Sequence, residues 1–133
     1  MLRNSFIFLD KIGSQKERSI WNGGTANWDE FLSVSSLKGI SGKSKPYYDR
    51  QILRAKAEAA NDNEEYFAQN FPRKEHWRLY QHFKEQAVFI DIETSGLGFY
   101  DSITVVGLYD GYNTKTMIKG INLNFKALEE ELK

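Results

Sequence analysis

The sequence has no cysteine, only two prolines, no net charge and no long apolar run. Without cysteine the chain has no disulfide, no thiolate nucleophile and no cysteine-based zinc site. No apolar run approaches the roughly 18 residues of a membrane span, and the apolar stretch at residues 6–9 is too short for a signal peptide. These absences predict a cytoplasmic protein that does not bind a membrane.

The composition is that of a globular chain. Its 133 residues, 41% hydrophobic and 14% aromatic, suffice for one ordinary domain or for a small helical unit and a partial second domain. Residues 1–85 carry 14 basic and 11 acidic side chains, whereas residues 86–133 carry 4 and 7. A basic part beside an acidic part favours a phosphate-containing ligand, although ordinary solvated surfaces show differences of this size.

Residues 1–85 show the pattern of short helices joined by Gly, Ser and Asn. Ser14 and Glu17 fit a capping box, in which each side chain accepts a hydrogen bond from the other residue's backbone amide. Pro46 suits the first turn of a longer, alanine-rich helix, and Pro72 follows the end of another. The sequence therefore predicts a helical domain at residues 1–85, with helices at 14–22, 27–32, 46–60, 66–71 and 73–83.

The pattern changes at residue 87. The almost continuously apolar residues 87–92 predict a strand covered on both faces. Residues 103–109 predict a second strand, and residues 110–113 predict a tight turn into a third strand at 114–118. We therefore expect an α+β chain whose final helix, from about residue 124, has an apolar side formed by Phe125, Leu128 and Leu132.

Two carboxylates follow the apolar run, because Asp91 and Glu93 lie two residues apart on the first strand. Side chains at i and i+2 of a strand point to the same face, so both carboxylates aim at one spot. Two anions that lose hydration beside each other need compensation, and an all-oxygen site favours Mg²⁺ or Mn²⁺. Alternatively, the two side chains cap the next turn or pair with Lys or Arg.

Residues 91–97 resemble the first exonuclease motif of the DnaQ-like, or DEDD, 3′–5′ exonucleases of the ribonuclease H-like superfamily. They are close to Asp-x-Glu-Thr-Thr-Gly-Leu, with Ser95 at one Thr position. The resemblance covers about residues 88–120, in which residues 103–110 are similar to the family's second strand. A looser similarity, which includes residues 76–80, is to predicted YprB-like ribonuclease H-like exonucleases.

This resemblance implies a fold, an activity and a set of site residues. Residues 86–133 would form the N-terminal part of a ribonuclease H-like exonuclease domain, with its first three strands. The implied activity is metal-dependent 3′–5′ exonuclease action on DNA or RNA. Asp91 and Glu93 would be catalytic and would bind Mg²⁺ or Mn²⁺. The substrate's 3′ end would be shaped by Thr94, Ser95, Gly96 and Leu97.

The resemblance also has a gap, because the family uses four carboxylates and this chain supplies only the first pair. After Gly120 the acidic residues are three glutamates at 129–131, in no matching context. Two-metal phosphodiester hydrolysis needs both ions held by several carboxylates. We therefore expect an incomplete domain that is inactive as this 133-residue chain. The alternatives are a non-catalytic nucleic-acid-binding module and a structural fragment.

A second candidate site lies at residues 11–18, which resemble the hairpin of a helix-hairpin-helix element. Such hairpins offer the free amides of a helix N-terminus to a nucleic acid phosphate. Gly13 would let the backbone approach closely, and Lys11, Lys16 and Arg18 would add charge. The alternative is an ordinary capped helix after a turn.

The aromatic residues near position 80 and the free edge of the first strand give two further expectations. Trp77 and Tyr80 have a spacing typical of core residues, although with Arg78 they could instead stack on a nucleic acid strand. The strand that carries Asp91 is central in the ribonuclease H-like order, so its second edge lacks a partner in residues 86–133. An exposed apolar edge is a template for pairing, which predicts self-association, a covering helix or aggregation.

Overall fold

A computed structural model describes residues 1–132. The chain divides into two compact units, Met1–Lys84 and one that begins at Glu85. The first unit is helical, and the second contains a three-stranded antiparallel sheet, so the α+β class is confirmed. The α-helices are α1 (Ser14–Asn22), α2 (Trp28–Ser33), α3 (Lys45–Ala60), α4 (Glu64–Asn70), α5 (Tyr80–Phe83) and α6 (Phe125–Glu131), and the strands are β1 (Phe89–Thr94), β2 (Ile103–Tyr109) and β3 (Thr114–Ile118).

The core of the first unit is built around aromatic rings. Phe67 is fully buried and contacts the rings of Trp28, Phe71 and Phe83. The Trp28 indole donates a 2.8 Å hydrogen bond to the backbone oxygen of Ser5, which satisfies its one polar atom inside the core. The segment before α1 contributes further apolar side chains to this core: Phe6, Ile7, Phe8, Leu9 and Ile12.

Most helix boundaries of this unit follow the local signals. The Asn27 side chain accepts a hydrogen bond from the Glu30 amide at 3.0 Å, and Glu30 accepts one from the Ala26 amide at 2.6 Å. These bonds satisfy amides that have no partner within α2. Pro46 lies in the first turn of α3, and α4 ends two residues before Pro72.

The predicted capping box of Ser14 and Glu17 is wrong. Gly13 is the N-cap of α1, and the Glu17 side chain is 1% exposed. Its carboxylate accepts hydrogen bonds from the Phe6 amide at 2.7 Å and the Ile7 amide at 3.1 Å. It also accepts two from the Arg78 guanidinium, at 2.9 and 3.0 Å. Buried amides outside regular structure require such a partner, and this long-range requirement overrides the local cap.

The single helix predicted at residues 73–83 is also wrong. A 3₁₀-helix at Arg73–Arg78 is followed by the short α5. With three residues per turn instead of 3.6, the side chains are distributed differently around the axis. Trp77 of the 3₁₀-helix and Tyr80, the first residue of α5, are 60% and 50% exposed, against the expectation of core positions, whereas Phe83 is buried.

The sheet of the second unit has the order β1-β2-β3. Ile92 pairs with Val106, and Val106 pairs with Met117, so these three side chains share one face. Val106 and Met117 are buried there with Leu108, and Leu128 of α6 packs against them. This face holds the small core of the unit.

The expectation that the first strand is covered on both faces is wrong, because all six residues of β1 are exposed. β1 lies at the edge of the sheet, and the packed face of α6 reaches the cluster on β2 and β3 instead. The predicted apolar side of the last helix is correct only at Leu128, since Phe125 and Leu132 are 62% and 48% exposed.

The turn between β2 and β3 forms as predicted. The Asp110 carboxylate accepts hydrogen bonds from the backbone amides of Asn113 at 2.7 Å and Tyr112 at 2.8 Å. These bonds, first that from Asn113, hold the pKa of Asp110 below its usual range. Gly111 has φ +97°, a conformation that favours glycine.

Within residues 1–132, no helix has both the length and the apolar character needed to cross a membrane.

Candidate functional site

Asp91 and Glu93 lie on the face of the sheet opposite its core. Their neighbour Ile92 pairs with Val106 on the core face, so the two carboxylates alternate to the other side. Both side chains are exposed. The two carboxylates therefore lose little hydration. The remaining reason for them to bind a cation is the repulsion between their two negative charges.

A glycine lies opposite Asp91 on the neighbouring strand. Asp91 pairs with Gly107 of β2, and a Cβ at Gly107 would lie 3.9–4.0 Å from the Asp91 backbone oxygen and Cβ. The missing side chain leaves the space beside the Asp91 carboxylate open. A glycine inside a run of β-branched residues often marks a place where another group comes close to the backbone. Gly107 was therefore a signal for this site in the sequence, although it lies outside the motif at residues 91–97.

The strand pairing is irregular next to the carboxylate pair. Glu93 pairs with Val105 and Thr94 with Ile103, which leaves Thr104 as an extra residue in β2. The Thr104 hydroxyl donates a 3.1 Å hydrogen bond to the Glu93 backbone oxygen. Such a bulge increases the local twist and changes the direction of neighbouring side chains.

The carboxylates of Asp91 and Glu93 make no ion pair and no side-chain hydrogen bond in the part of the chain that the structure describes. The alternative that they cap the next turn or pair with Lys or Arg is thus not observed among residues 1–132. Two carboxylates are suitable oxygen ligands for Mg²⁺ or Mn²⁺, whose remaining positions water can fill. Within the same residues, no group of three or more His, Asp or Glu side chains could hold a metal.

The loop that follows β1 is held together by Asp101. Its carboxylate accepts hydrogen bonds from the Ser95 hydroxyl, at 3.0 Å, and from the Gly98 amide. A Cβ at Gly96 or at Gly98 would lie 2.6 or 2.9 Å from the Asp101 carboxylate, so a side chain at either position would displace it. The two glycines and Asp101 therefore define one loop conformation.

This ordered loop presents large apolar side chains to solvent. Leu97, Phe99 and Tyr100 are almost completely exposed, at 103%, 97% and 98%. The Thr94 hydroxyl donates a 2.7 Å hydrogen bond to the Gly96 backbone oxygen, so Thr94 shapes the loop as Ser95 does. The structure thus places the predicted metal-binding and substrate-binding residues on one strand end and the loop that follows it.

The predicted hairpin at residues 11–18 only partly matches a helix-hairpin-helix element. Gly13 is the N-cap of α1, and space around it is open, since a Cβ there would meet no atom within 4 Å. Lys11 has φ +58°, and Arg18 is exposed. In residues 1–13, all of which the structure describes, the only helix is a 3₁₀ turn at Leu2–Asn4, so the first helix of such an element is missing. Binding through Lys11, Gly13, Lys16 and Arg18 stays a prediction.

The two histidines belong to the helical unit, and each contacts a different backbone oxygen there. A ring nitrogen of His76 lies 3.1 Å from the Phe71 backbone oxygen, and one of His82 lies 3.2 Å from the Ala59 backbone oxygen. Both contacts connect segments of the helical unit, which indicates a structural role for these histidines.

Comparison with family models, with curated proteins and with solved structures found no match for this chain.

Proposed function

We propose that the end of β1 is the metal-binding part of a metal-dependent 3′–5′ exonuclease centre of the DnaQ-like type, in a ribonuclease H-like domain that acts on DNA or RNA. The observation that supports this most is the exposed pair Asp91 and Glu93 on the open face of the sheet, unpaired among residues 1–132 and beside Gly107. The sequence of residues 91–97 gives the pair its resemblance to the family's first motif.

In this proposal Asp91 and Glu93 hold Mg²⁺ or Mn²⁺. The bound ion would polarise a phosphoryl oxygen and lower the pKa of a bound water. The loop held by Asp101 would keep Leu97 in place beside the substrate's 3′ end. Two carboxylates alone hold such ions weakly, so we expect negligible hydrolysis by this chain itself.

The test is a nuclease assay on single-stranded DNA and RNA labelled at the 5′ end. The 133-residue chain should show negligible cleavage with Mg²⁺ or Mn²⁺, because half of the family's carboxylates are absent from its matching motifs. A longer chain that adds two further carboxylates in the family's later motifs should shorten the strands stepwise from the 3′ end.

The control is Asp91→Asn in that longer chain, which should abolish the shortening while leaving the fold intact. Robust cleavage by the 133-residue chain that Asp91→Asn removes would show that the account of the missing ligands is wrong. Cleavage by the longer chain that survives Asp91→Asn and Glu93→Gln would overturn the proposed centre.

A further inference from the structure

The helical unit contains a cavity with two tryptophan walls. Its volume is about 400 Å³, and both Trp21 of α1 and Trp77 of the 3₁₀-helix line it. These indoles are 37% and 60% exposed, unlike Trp28, which is 1% exposed. The remaining lining residues are Met1, Asn4, Ser5 and Arg78. Cavities of this size bind small molecules or single chemical units of larger ones.

The cavity is held in shape by a hydrogen bond and by ion pairs. The Trp21 indole donates a 2.8 Å hydrogen bond to the Asn4 backbone oxygen. The Arg78 guanidinium lies 5.7 Å from the Trp21 ring centroid and 5.5 Å from that of Trp77, so it contacts both walls. Glu17 and Glu75 both pair with Arg78, so these three side chains together carry one net negative charge. The Trp21 wall is therefore held by a hydrogen bond before any ligand binds, and the Trp77 wall contacts the Arg78 guanidinium.

Each wall has an exposed cation one helical turn away. Arg18 precedes Trp21 by three residues on α1, where side chains at i and i+3 are neighbours. Lys74 precedes Trp77 by three residues in the 3₁₀-helix, where side chains at i and i+3 eclipse. Neither Arg18 nor Lys74 makes a salt bridge in the described part of the chain. Two exposed cations without a salt bridge therefore lie on the segments that carry the aromatic walls, whereas the group of Glu17, Glu75 and Arg78 has a net negative charge.

We infer that this cavity binds a nucleotide unit of a single-stranded nucleic acid. The base would stack on the exposed indole of Trp77, with Trp21 as the second wall, and the flanking phosphates would lie near Lys74 and Arg18. Flat aromatic walls with exposed cations one turn away on the same segments suit a ligand that is itself both flat and anionic. The inference concerns the helical unit, needs no metal ion and does not depend on Asp91 or Glu93.

The experiment uses the whole chain with EDTA present and about 50 mM salt, conditions that favour phosphate contacts and exclude metal-dependent binding. A labelled oligothymidylate of about 12 nucleotides is titrated by fluorescence anisotropy. Trp77→Ala should weaken binding by about 5- to 150-fold, since stacking of a base contributes about 1–3 kcal/mol. Trp77→Phe should restore most of the affinity.

Two matched controls locate the effect. Tyr47→Ala removes an aromatic side chain that is 43% exposed on α3, away from the cavity, and should leave the affinity unchanged. Lys74→Glu should weaken binding and reduce its salt dependence, whereas Lys43→Glu, at another exposed lysine, should not. Asp91→Ala with Glu93→Ala should have no effect, which separates this site from the proposed metal site.

Three results would overturn the inference. One is no binding under these conditions. Another is binding that Trp77→Ala leaves unchanged. The last is a combination of two observations: free indole displaces the oligonucleotide, and Lys74→Glu leaves the affinity unchanged. Together they would identify a site for neutral apolar ligands instead.

Discussion

The buried carboxylate of Glu17 allows a quantitative prediction about the helical unit. It accepts hydrogen bonds from the Phe6 and Ile7 amides and pairs with Arg78, whose side chain is 12% exposed. Glu17→Ala would leave two buried amides without a partner, at about 1–3 kcal/mol each. Removing one member of a buried ion pair costs about 3–5 kcal/mol in comparable cases.

These contributions are not additive, because Arg78 keeps Glu75 at 2.8 Å. We therefore expect Glu17→Ala to lower the free energy of unfolding by about 4 kcal/mol, near the lower end of the whole stability of a small domain. Glu17→Gln keeps one acceptor oxygen but loses the charge, and should cost about 2 kcal/mol. Glu64→Ala, at an exposed first-turn glutamate of α4, should cost less than about 1 kcal/mol.

The assay is urea unfolding followed by tryptophan fluorescence. All three tryptophans lie in the helical unit, so the signal reports on that unit alone. Trp28, at 1% exposure, reports on its core. A change in Glu17→Ala no larger than that in Glu64→Ala would refute the conclusion that this carboxylate satisfies the buried amides.

Three further predictions concern other parts of the chain. Asp110→Asn should destabilise the turn between β2 and β3 at neutral pH. The difference from the wild type should disappear as the pH falls through the lowered pKa of Asp110, and amide exchange in the turn would measure it. Asp101→Ala should speed chymotryptic cleavage in the loop that follows β1 without removing metal binding, whereas equal cleavage rates would contradict the role of Asp101. The chain should self-associate through the exposed edge of β1, and Phe89→Lys, on the face opposite the core, should oppose this in light scattering; a wild-type monomer at all concentrations would disprove it.

Local signals in the sequence predicted much of the secondary structure. Asn27 with Glu30 starts α2, Pro46 lies in the first turn of α3, and Asp110 with Gly111 forms the turn between two strands. Each of these depends on residues within one turn of the chain. Patterns of this kind are visible in a sequence without knowledge of the tertiary structure.

The incorrect predictions depend on contacts that are distant in the sequence. Glu17 does not cap its own helix because the Phe6 and Ile7 amides and Arg78 bind it. The apolar pattern of β1 predicted a covered strand, yet whether a strand is covered depends on which elements pack against it. Trp77 is exposed because its segment forms a 3₁₀-helix, which the sequence pattern did not distinguish from an α-helix.

For the candidate site, the sequence predicted which residues follow one another on the strand and its loop. The alternation of a strand put Asp91 and Glu93 on one face, and the register now shows that this is the open face. The contributions of Gly107 and Asp101 depend on cross-strand and loop contacts, so the residues around the motif did not reveal them.

Binding of Mn²⁺ at the end of β1 is the decisive test of the proposed centre. In amide correlation spectra, substoichiometric Mn²⁺ should broaden the signals of Asp91, Glu93 and Gly107 before all others. Asp91→Ala and Glu93→Ala should each abolish this local broadening, whereas Glu130→Ala, at an exposed glutamate of α6, should leave it unchanged. Broadening that persists in both strand variants, or that is centred elsewhere in the chain, would contradict a metal site formed by Asp91 and Glu93.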